Sequence, residues 1–150
     1  LSRRGKREGK YAVPCDIHAM IEVKTQGAAA WDAVCQGALY VPQDYALFAY
    51  LAGVRAFDGI EPLVKPRGFP DMNNKAEKIS PDAEREYTRW ADFAHDTGWL
   101  TPQEWIAACV SARMKTGETR VEALAIGNHA KALADSEKYE AARIVFWFNS

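Results

Sequence analysis

The chain has 150 residues, of which 48% are hydrophobic and 11% aromatic, and its formal net charge is −1. This length fits one domain that buries roughly 70% of the surface its unfolded chain exposes, and no apolar run approaches the roughly 20 residues that cross a bilayer. Three cysteines without a C-x-x-C pair argue against a disulfide scaffold and predict a reducing, cytoplasmic setting with no membrane partner.

Residues 1–14 differ in charge from the rest of the chain. Five basic residues against Glu8 give them a net charge of +4, so residues 15–150 carry −5. We expect a flexible basic tail over residues 1–14 and a single domain over residues 15–150. The tail is either an arm that contacts nucleic acid, or an expression remnant or upstream extension before a start near Val13. The acidic body argues against nucleic-acid binding by the domain itself.

The predicted elements begin with a β-hairpin. Residues 15–25 and 31–37 are rich in β-formers, and Gln26-Gly27-Ala28 between them is typical of a turn. A helix follows over residues 44–53 and ends at Gly53. Residues 56–79 contain three prolines and no period, which predicts a long loop of the kind that is often functional.

Three further helix starts can be recognised. Ser80 before Pro81 begins a helix that we expect to continue to about His95. Thr101 with Glu104 is a capping box before a second helix, which Gly117 ends, and Thr119 with Glu122 repeats the pattern for a third.

The chain closes on a predicted strand over residues 143–149, which places Ile144, Phe146 and Phe148 on one face. The sequence therefore predicts an α+β fold. We expect a small antiparallel sheet, made of the N-terminal hairpin and the C-terminal strand, packed against about four helices.

Asp16 and His18 form the most distinctive polar pair of the sequence. Two residues apart on a predicted strand, their side chains project from the same face. With His95 they are candidate metal ligands, because carboxylate and imidazole groups suit zinc, manganese or iron, and they are also candidate catalytic groups. A divalent metal is the one cofactor suggested. The alternative is that His18 hydrogen-bonds Asp16 or a neighbouring strand.

Three other residues are candidates for binding a ligand or a partner. Trp147 and Asn149 share one face of the last strand, and if that strand pairs with the first they join Asp16 and His18 in one cluster. Arg67, between Pro66 and Pro70, presents a guanidinium that either binds a carboxylate or phosphate of a ligand or forms a salt bridge that fixes the loop.

Cys15 is a candidate nucleophile if His95 lies near it. The alternative is that Cys15, Cys35 and Cys109 are small hydrophobic residues of the core.

The chain resembles a widespread family of small uncharacterised proteins encoded by phages and prophages. The stretches that carry the resemblance are Cys15-Asp16-Ile17-His18, residues 44–55, Pro66-Arg67-Gly68-Phe69-Pro70, residues 90–95, Trp99-Leu100-Thr101 and Val145-Phe146-Trp147-Phe148-Asn149. Members commonly begin at the Cys-Asp-Ile-His run, and they often carry Asp-Asn where this chain has Asn149-Ser150. The resemblance implies a phage-linked accessory protein and supplies no activity.

From this resemblance, and because no complete catalytic motif is present, we expect an accessory protein that binds a host protein. An inhibitor of a host defence complex, anti-CRISPR-like or other, is the form we favour. The alternative is a small metal-dependent or His/Asp-dependent hydrolase, or a nucleotide-binding protein, that uses Asp16, His18, Arg67 and His95. A third interpretation is a nucleic-acid mimic or regulator.

Overall fold

The computed structural model describes residues 13–150, so the predicted tail lies outside the described residues except for Val13 and Pro14. The elements of this part of the chain are β1 (Asp16–Thr25), β2 (Asp32–Ala33), α1 (Tyr45–Ala52), α2 (Pro81–Trp90), β3 (Ala94–Leu100), α3 (Pro102–Thr116), α4 (Val121–Ala134) and β4 (Tyr139–Asn149). These four helices packed against a small antiparallel sheet confirm the predicted α+β fold. None of the four is long and apolar enough to cross a membrane.

The sheet has the order β2-β1-β4-β3, and its pairs are antiparallel. The two ends of the domain form its centre, because β1 and β4 pair from Asp16 opposite Asn149 to Thr25 opposite Tyr139. Residues 142–148 of β4 are all buried. A strand covered on both faces is apolar at consecutive positions rather than at alternate ones, which explains the run Ile144 to Phe148.

Each face of the sheet has its own core. On one face, Ile144, Phe146 and Phe148 pack with buried residues of α1, α3 and α4, which confirms the predicted alternation of the last strand. On the other face, Val145 and Trp147 pack with Met20, with α2 and with the long loop before it. Residues 54–79 of that loop contain no helix or strand, as predicted.

Local signals set most helix ends. The Asp44 carboxylate accepts a hydrogen bond from the backbone N–H of Leu47 at the start of α1, and Gly53 ends that helix with φ of 73°. Both hydrogen bonds of the Thr101–Glu104 capping box are present. The predicted capping box at Thr119 is wrong, because Arg120 is the N-cap of α4 and its side chain makes no cap bond. Arg120 instead pairs with Asp44 at 3.1 Å, which joins the starts of α4 and α1.

Two predicted boundaries are also wrong. The second strand of the hairpin is only Asp32–Ala33, after which the chain leaves the sheet and returns in one bridge, Leu39 opposite Ala19. The helix from Pro81 ends at Trp90 rather than near His95, and His95 lies on β3. The free edge of β4 provides backbone partners for residues 94–100, and this pairing outweighs local helix propensity.

Gly127 lies where α4 crosses α3, and it permits a close approach. A Cβ at this position would lie 2.7 Å from Ile106 Cγ1 and 2.8 Å from Trp105 Cδ1. Alanine normally stabilises a helix interior by about 1 kcal/mol relative to glycine, but here the overpacking is expected to cost about 1–3 kcal/mol. We therefore expect Gly127→Ala to lower the midpoint of urea unfolding. Gly37→Ala is the control, because a Cβ there meets nothing within 4 Å, and equal midpoints for the two variants would contradict the prediction.

Candidate functional site

His18 is held at one end of the sheet by a hydrogen bond and two aromatic rings. Its Nε2 lies 2.6 Å from Asn149 Oδ1, so the ring donates from Nε2 and, when neutral, leaves Nδ1 as an acceptor. The imidazole stacks on Trp147 with centroids 5.5 Å apart and lies 4.7 Å from the ring of Trp90. Because β4 pairs with β1, His18, Trp147 and Asn149 lie together as predicted. Trp147 is 0% exposed, so the prediction that it contacts a partner is wrong, and it supports the His18 ring instead.

Asp16 completes one wall of a cleft beside His18. The cleft has a volume of about 380 Å³ and is lined by residues 16–18 of β1 and residues 38–41. Asp16 is exposed, whereas His18 is half-buried, and His18 bonds the neighbouring strand rather than Asp16. The pair therefore presents an unshielded carboxylate next to a fixed imidazole.

His95 does not join this cluster. It lies opposite Phe148 on β4, whereas His18 lies opposite Trp147. Adjacent residues of a strand point to opposite faces, so the sheet separates the two histidines and one metal ion does not bind both. Within residues 13–150, no group of three or more His, Cys, Asp or Glu side chains is arranged to hold a metal. The interpretation of Asp16, His18 and His95 as one metal or catalytic site is therefore wrong.

His95 instead belongs to a separate hydrogen-bond chain at the edge of the sheet. Its Nδ1 lies 2.6 Å from Asp96 Oδ2, and its Nε2 lies 2.8 Å from Ser150 Oγ. Asp96 has a φ of 50°, and it lies at the register shift between His95 and Gly98. The left-handed backbone at this bulge aims the Asp96 carboxylate at its own neighbour, an arrangement the sequence did not reveal.

Arg67 fixes the long loop to the body of the protein. Its two terminal nitrogens bond the two carboxylate oxygens of Glu104 at 2.7 and 2.6 Å, and its guanidinium lies 4.3 Å from the centre of the Trp99 ring. Of the two predicted roles, the salt bridge is the one that forms. Because the Glu104 carboxylate occupies the fork of Arg67, the guanidinium is not open to a ligand carboxylate or phosphate in this arrangement.

The contact between Arg67 and Glu104 makes the free energy of unfolding depend on pH. Burial acts to raise the pKa of Glu104, but the hydrogen bonds from Arg67 and Thr101 outweigh it and hold the pKa below its ordinary value. A carboxyl whose pKa is depressed by folding stabilises the folded state above its unfolded pKa, and that contribution is lost as the pH falls through the folded pKa. We expect the free energy of unfolding of the wild type to fall more steeply on acidification than that of Glu104→Gln, which keeps a capping side chain. Parallel pH profiles from urea unfolding would contradict this.

Two of the three cysteines, Cys15 and Cys109, are unsuited to nucleophilic chemistry. Cys15 is fully buried among the residues packed on α1, and burial is the main cause that raises the pKa of its thiol. Burial likewise raises the pKa of Cys109 to about 12. A thiol with a raised pKa carries little of the reactive thiolate, so both are residues of the core. Cys35 is exposed.

No protein-family model, curated protein sequence or solved structure matches this chain.

Sequence reasoning missed a buried ion pair between the two central strands. Arg143 Nε donates to Glu22 Oε1 at 2.8 Å, and the two residues are only 3% and 0% exposed. The second carboxylate oxygen of Glu22 accepts from the backbone N–H of Ser80, while Arg143 Nη2 donates to the carbonyls of Glu77 and Lys78. A detectable signal was present, because Glu22 and Arg143 each interrupt an apolar stretch, residues 19–23 and residues 141–148, with charges of opposite sign.

Proposed function

We propose that this protein is an accessory protein that binds a host protein through one end of its sheet. We call this region the sheet-end surface and define it as Asp16, His18, Tyr40, Phe93 and Asn149. The observation that carries the proposal is the exposure of two large aromatic residues beside the polar cluster, 73% for Tyr40 and 64% for Phe93. Exposed aromatic side chains next to polar groups are typical of the residues that dominate protein interfaces.

The two aromatic residues flank the cluster from opposite sides. Tyr40 lines the cleft that contains Asp16 and His18. Phe93 lies in the turn after α2, where its backbone N–H donates to the Trp90 carbonyl, and the next residue, Ala94, pairs with Asn149. The surface is therefore continuous from the cleft to the free edge of β3.

The cluster is also rigid, which favours binding. His18 is fixed by Asn149 and by two indole rings, so little side-chain entropy remains to be lost when a partner binds. The exposed carboxylate of Asp16 favours a partner that places a basic group against it.

The resemblance to phage and prophage proteins supports a host defence protein as the partner. An inhibitor that acts by covering such a protein works at a ratio of about one chain per target and needs no turnover. Co-expression with single defence systems in a bacterial host tests this, because an inhibitor restores phage plating in proportion to its own expression level. Restoration at trace expression would instead indicate catalysis.

Affinity capture from a bacterial lysate tests the binding surface itself. The double variant Tyr40→Ala/Phe93→Ala removes both aromatic rings without touching the core, and Met114→Ala on α3, also highly exposed, is the matched control. We expect a prey protein that the wild type and Met114→Ala retain equally and that the double variant retains about ten-fold less. Equal retention by all three proteins would contradict the proposal.

A second candidate function rests on the hydrogen-bond chain of Ser150, His95 and Asp96. The order hydroxyl, imidazole, carboxylate is that of serine hydrolases. In that reaction the Ser150 hydroxyl attacks an ester carbonyl while His95 takes its proton, the alcohol leaves with that proton, and water releases the acid.

An aryl acetate assay separates this candidate from the first. A hydrolase loses turnover in both Ser150→Ala and His95→Gln and keeps it in Thr119→Ala, which removes another exposed hydroxyl. Hydrolysis that is the same in all these variants would exclude this site.

A further inference from the structure

A larger cleft, separate from the sheet-end surface, lies over the buried ion pair. Its volume is about 550 Å³, and its lining includes the rings of Trp31, Phe69 and Trp99, the arginine Arg143, and the acidic residues Asp71 and Glu77. This volume lies within the range of about 300–1,000 Å³ that is usual for small-molecule sites. The aromatic rings favour a flat ligand, the guanidinium favours a ligand with a hydrogen-bond acceptor, and the two acidic residues favour one with hydrogen-bond donors.

The guanidinium of Arg143 keeps one nitrogen free. Its Nε and Nη2 are occupied by Glu22 and by two backbone carbonyls, and it lies 4.0 Å from the centre of the Trp31 ring. Among the described residues, Nη1 has no acceptor. Because Arg143 lines the cleft, Nη1 is a fixed donor at its wall.

The charge of the lining disfavours anions. Of the charged residues that line the cleft, Arg143 is balanced by Glu22, which leaves Asp71 and Glu77 uncompensated. Asp71 Oδ1 accepts a hydrogen bond from the backbone N–H of Asn73. Asp71 Oδ2 accepts none from the described residues. A small cation is disfavoured as well, because it would meet the Arg143 guanidinium.

We propose that this cleft binds a guanine base, presented by a nucleoside without phosphate. A purine ring stacks on aromatic side chains, which is worth about 1–3 kcal/mol per base in other proteins. Guanine carries the acceptors O6 and N7 on one edge, which suit an arginine donor. Its N1–H and N2–H₂ donors lie on another edge and suit the carboxylates of Asp71 and Glu77. Adenine lacks the O6 acceptor and the N1–H donor, so the cleft discriminates against it.

Calorimetric titration of the purified chain with guanosine, adenosine and guanosine monophosphate tests the proposal. We expect saturable heat with guanosine and about ten-fold weaker binding of adenosine, because adenine offers Arg143 no O6 acceptor and offers the two carboxylates no N1–H donor. The monophosphate should bind more weakly than guanosine, and added salt should reduce that difference. No saturable heat with guanosine, or equal affinity for guanosine and adenosine, would overturn the proposal.

Two variants locate the site. Asp71→Asn should weaken guanosine binding about ten-fold, whereas Asp58→Asn, in an exposed part of the same long loop, should leave it unchanged. Trp99→Leu should weaken it through lost stacking, whereas Trp90→Leu, outside this cleft, should not. Guanosine binding that survives both Asp71→Asn and Trp99→Leu would place the nucleoside elsewhere and refute the assignment. This test is independent of the sheet-end surface and of any protein partner.

Discussion

Glu22→Ala is expected to lower the free energy of unfolding by about 3–5 kcal/mol, the usual cost of removing one partner of a buried ion pair. The variant leaves the guanidinium of Arg143 without its carboxylate at a position that is 3% exposed. It also removes the acceptor for the backbone N–H of Ser80, the N-cap of α2. Urea unfolding followed by circular dichroism measures the loss.

Two further variants separate charge burial from simple truncation. Glu140→Ala breaks the exposed pair with Lys24, whose atoms are 3.8 Å apart, and should cost less than about 1 kcal/mol. The double variant Glu22→Leu/Arg143→Met removes both charges and should recover most of the stability lost in Glu22→Ala. A double variant less stable than Glu22→Ala would contradict this, because it would show that the stability depends on the attraction within the ion pair rather than on avoiding an unpaired buried charge.

Trp147→Ala is expected to cost about 3–5 kcal/mol, as for other large-to-small changes in a core. The indole is fully buried and contacts rings from three parts of the fold, with centroids 5.5 Å from His18, 5.5 Å from Tyr87 and 6.3 Å from Phe69. Its loss removes the support of His18 as well as packing volume. The expected result is a large fall in urea midpoint together with a changed NMR environment of the His18 ring.

Trp90→Ala is the matched control for this prediction. The ring of Trp90 also contacts the His18 ring, with centroids 4.7 Å apart, but Trp90 is only half-buried. Trp90→Ala should therefore lower the free energy of unfolding distinctly less than Trp147→Ala. If the two variants were equally stable, the central role of Trp147 in the second core would be contradicted.

Much of the fold could be predicted because its signals are local. The alternation of Ile144, Phe146 and Phe148, the Thr101–Glu104 capping box and the glycine that ends α1 each depend on residues close together in the sequence. The strand β3 could not be predicted in this way. The residues of β4 that pair with it lie 44 or more positions later, as in Leu100 opposite Ile144, and a segment that ends a helical pattern and contains Gly98 has no strand signal of its own.

The candidate site also contains residues whose positions could be predicted from the sequence and residues whose positions could not. The cluster of Asp16, His18, Trp147 and Asn149 followed from strand alternation together with one assumption, that β1 pairs with β4, and that pairing is confirmed. His95 was placed wrongly because its face depends on the register of β3, which the sequence did not indicate. The sequence left two roles open for Arg67, binding a ligand or forming a salt bridge with an unnamed residue, because only the three-dimensional path of the loop brings it to Glu104.

The central claim is that the sheet-end surface binds a protein partner, and hydrogen–deuterium exchange of the chain with and without its captured partner tests it most directly. The account predicts slower exchange in the complex for residues 38–41 and 90–95, which border Asp16 and His18. Exchange in α4, whose Asn128 and His129 are exposed and whose buried residues pack in the core on the opposite face of the sheet from His18, should be unchanged. Protection confined to α4, with residues 38–41 and 90–95 unaffected, would contradict the account.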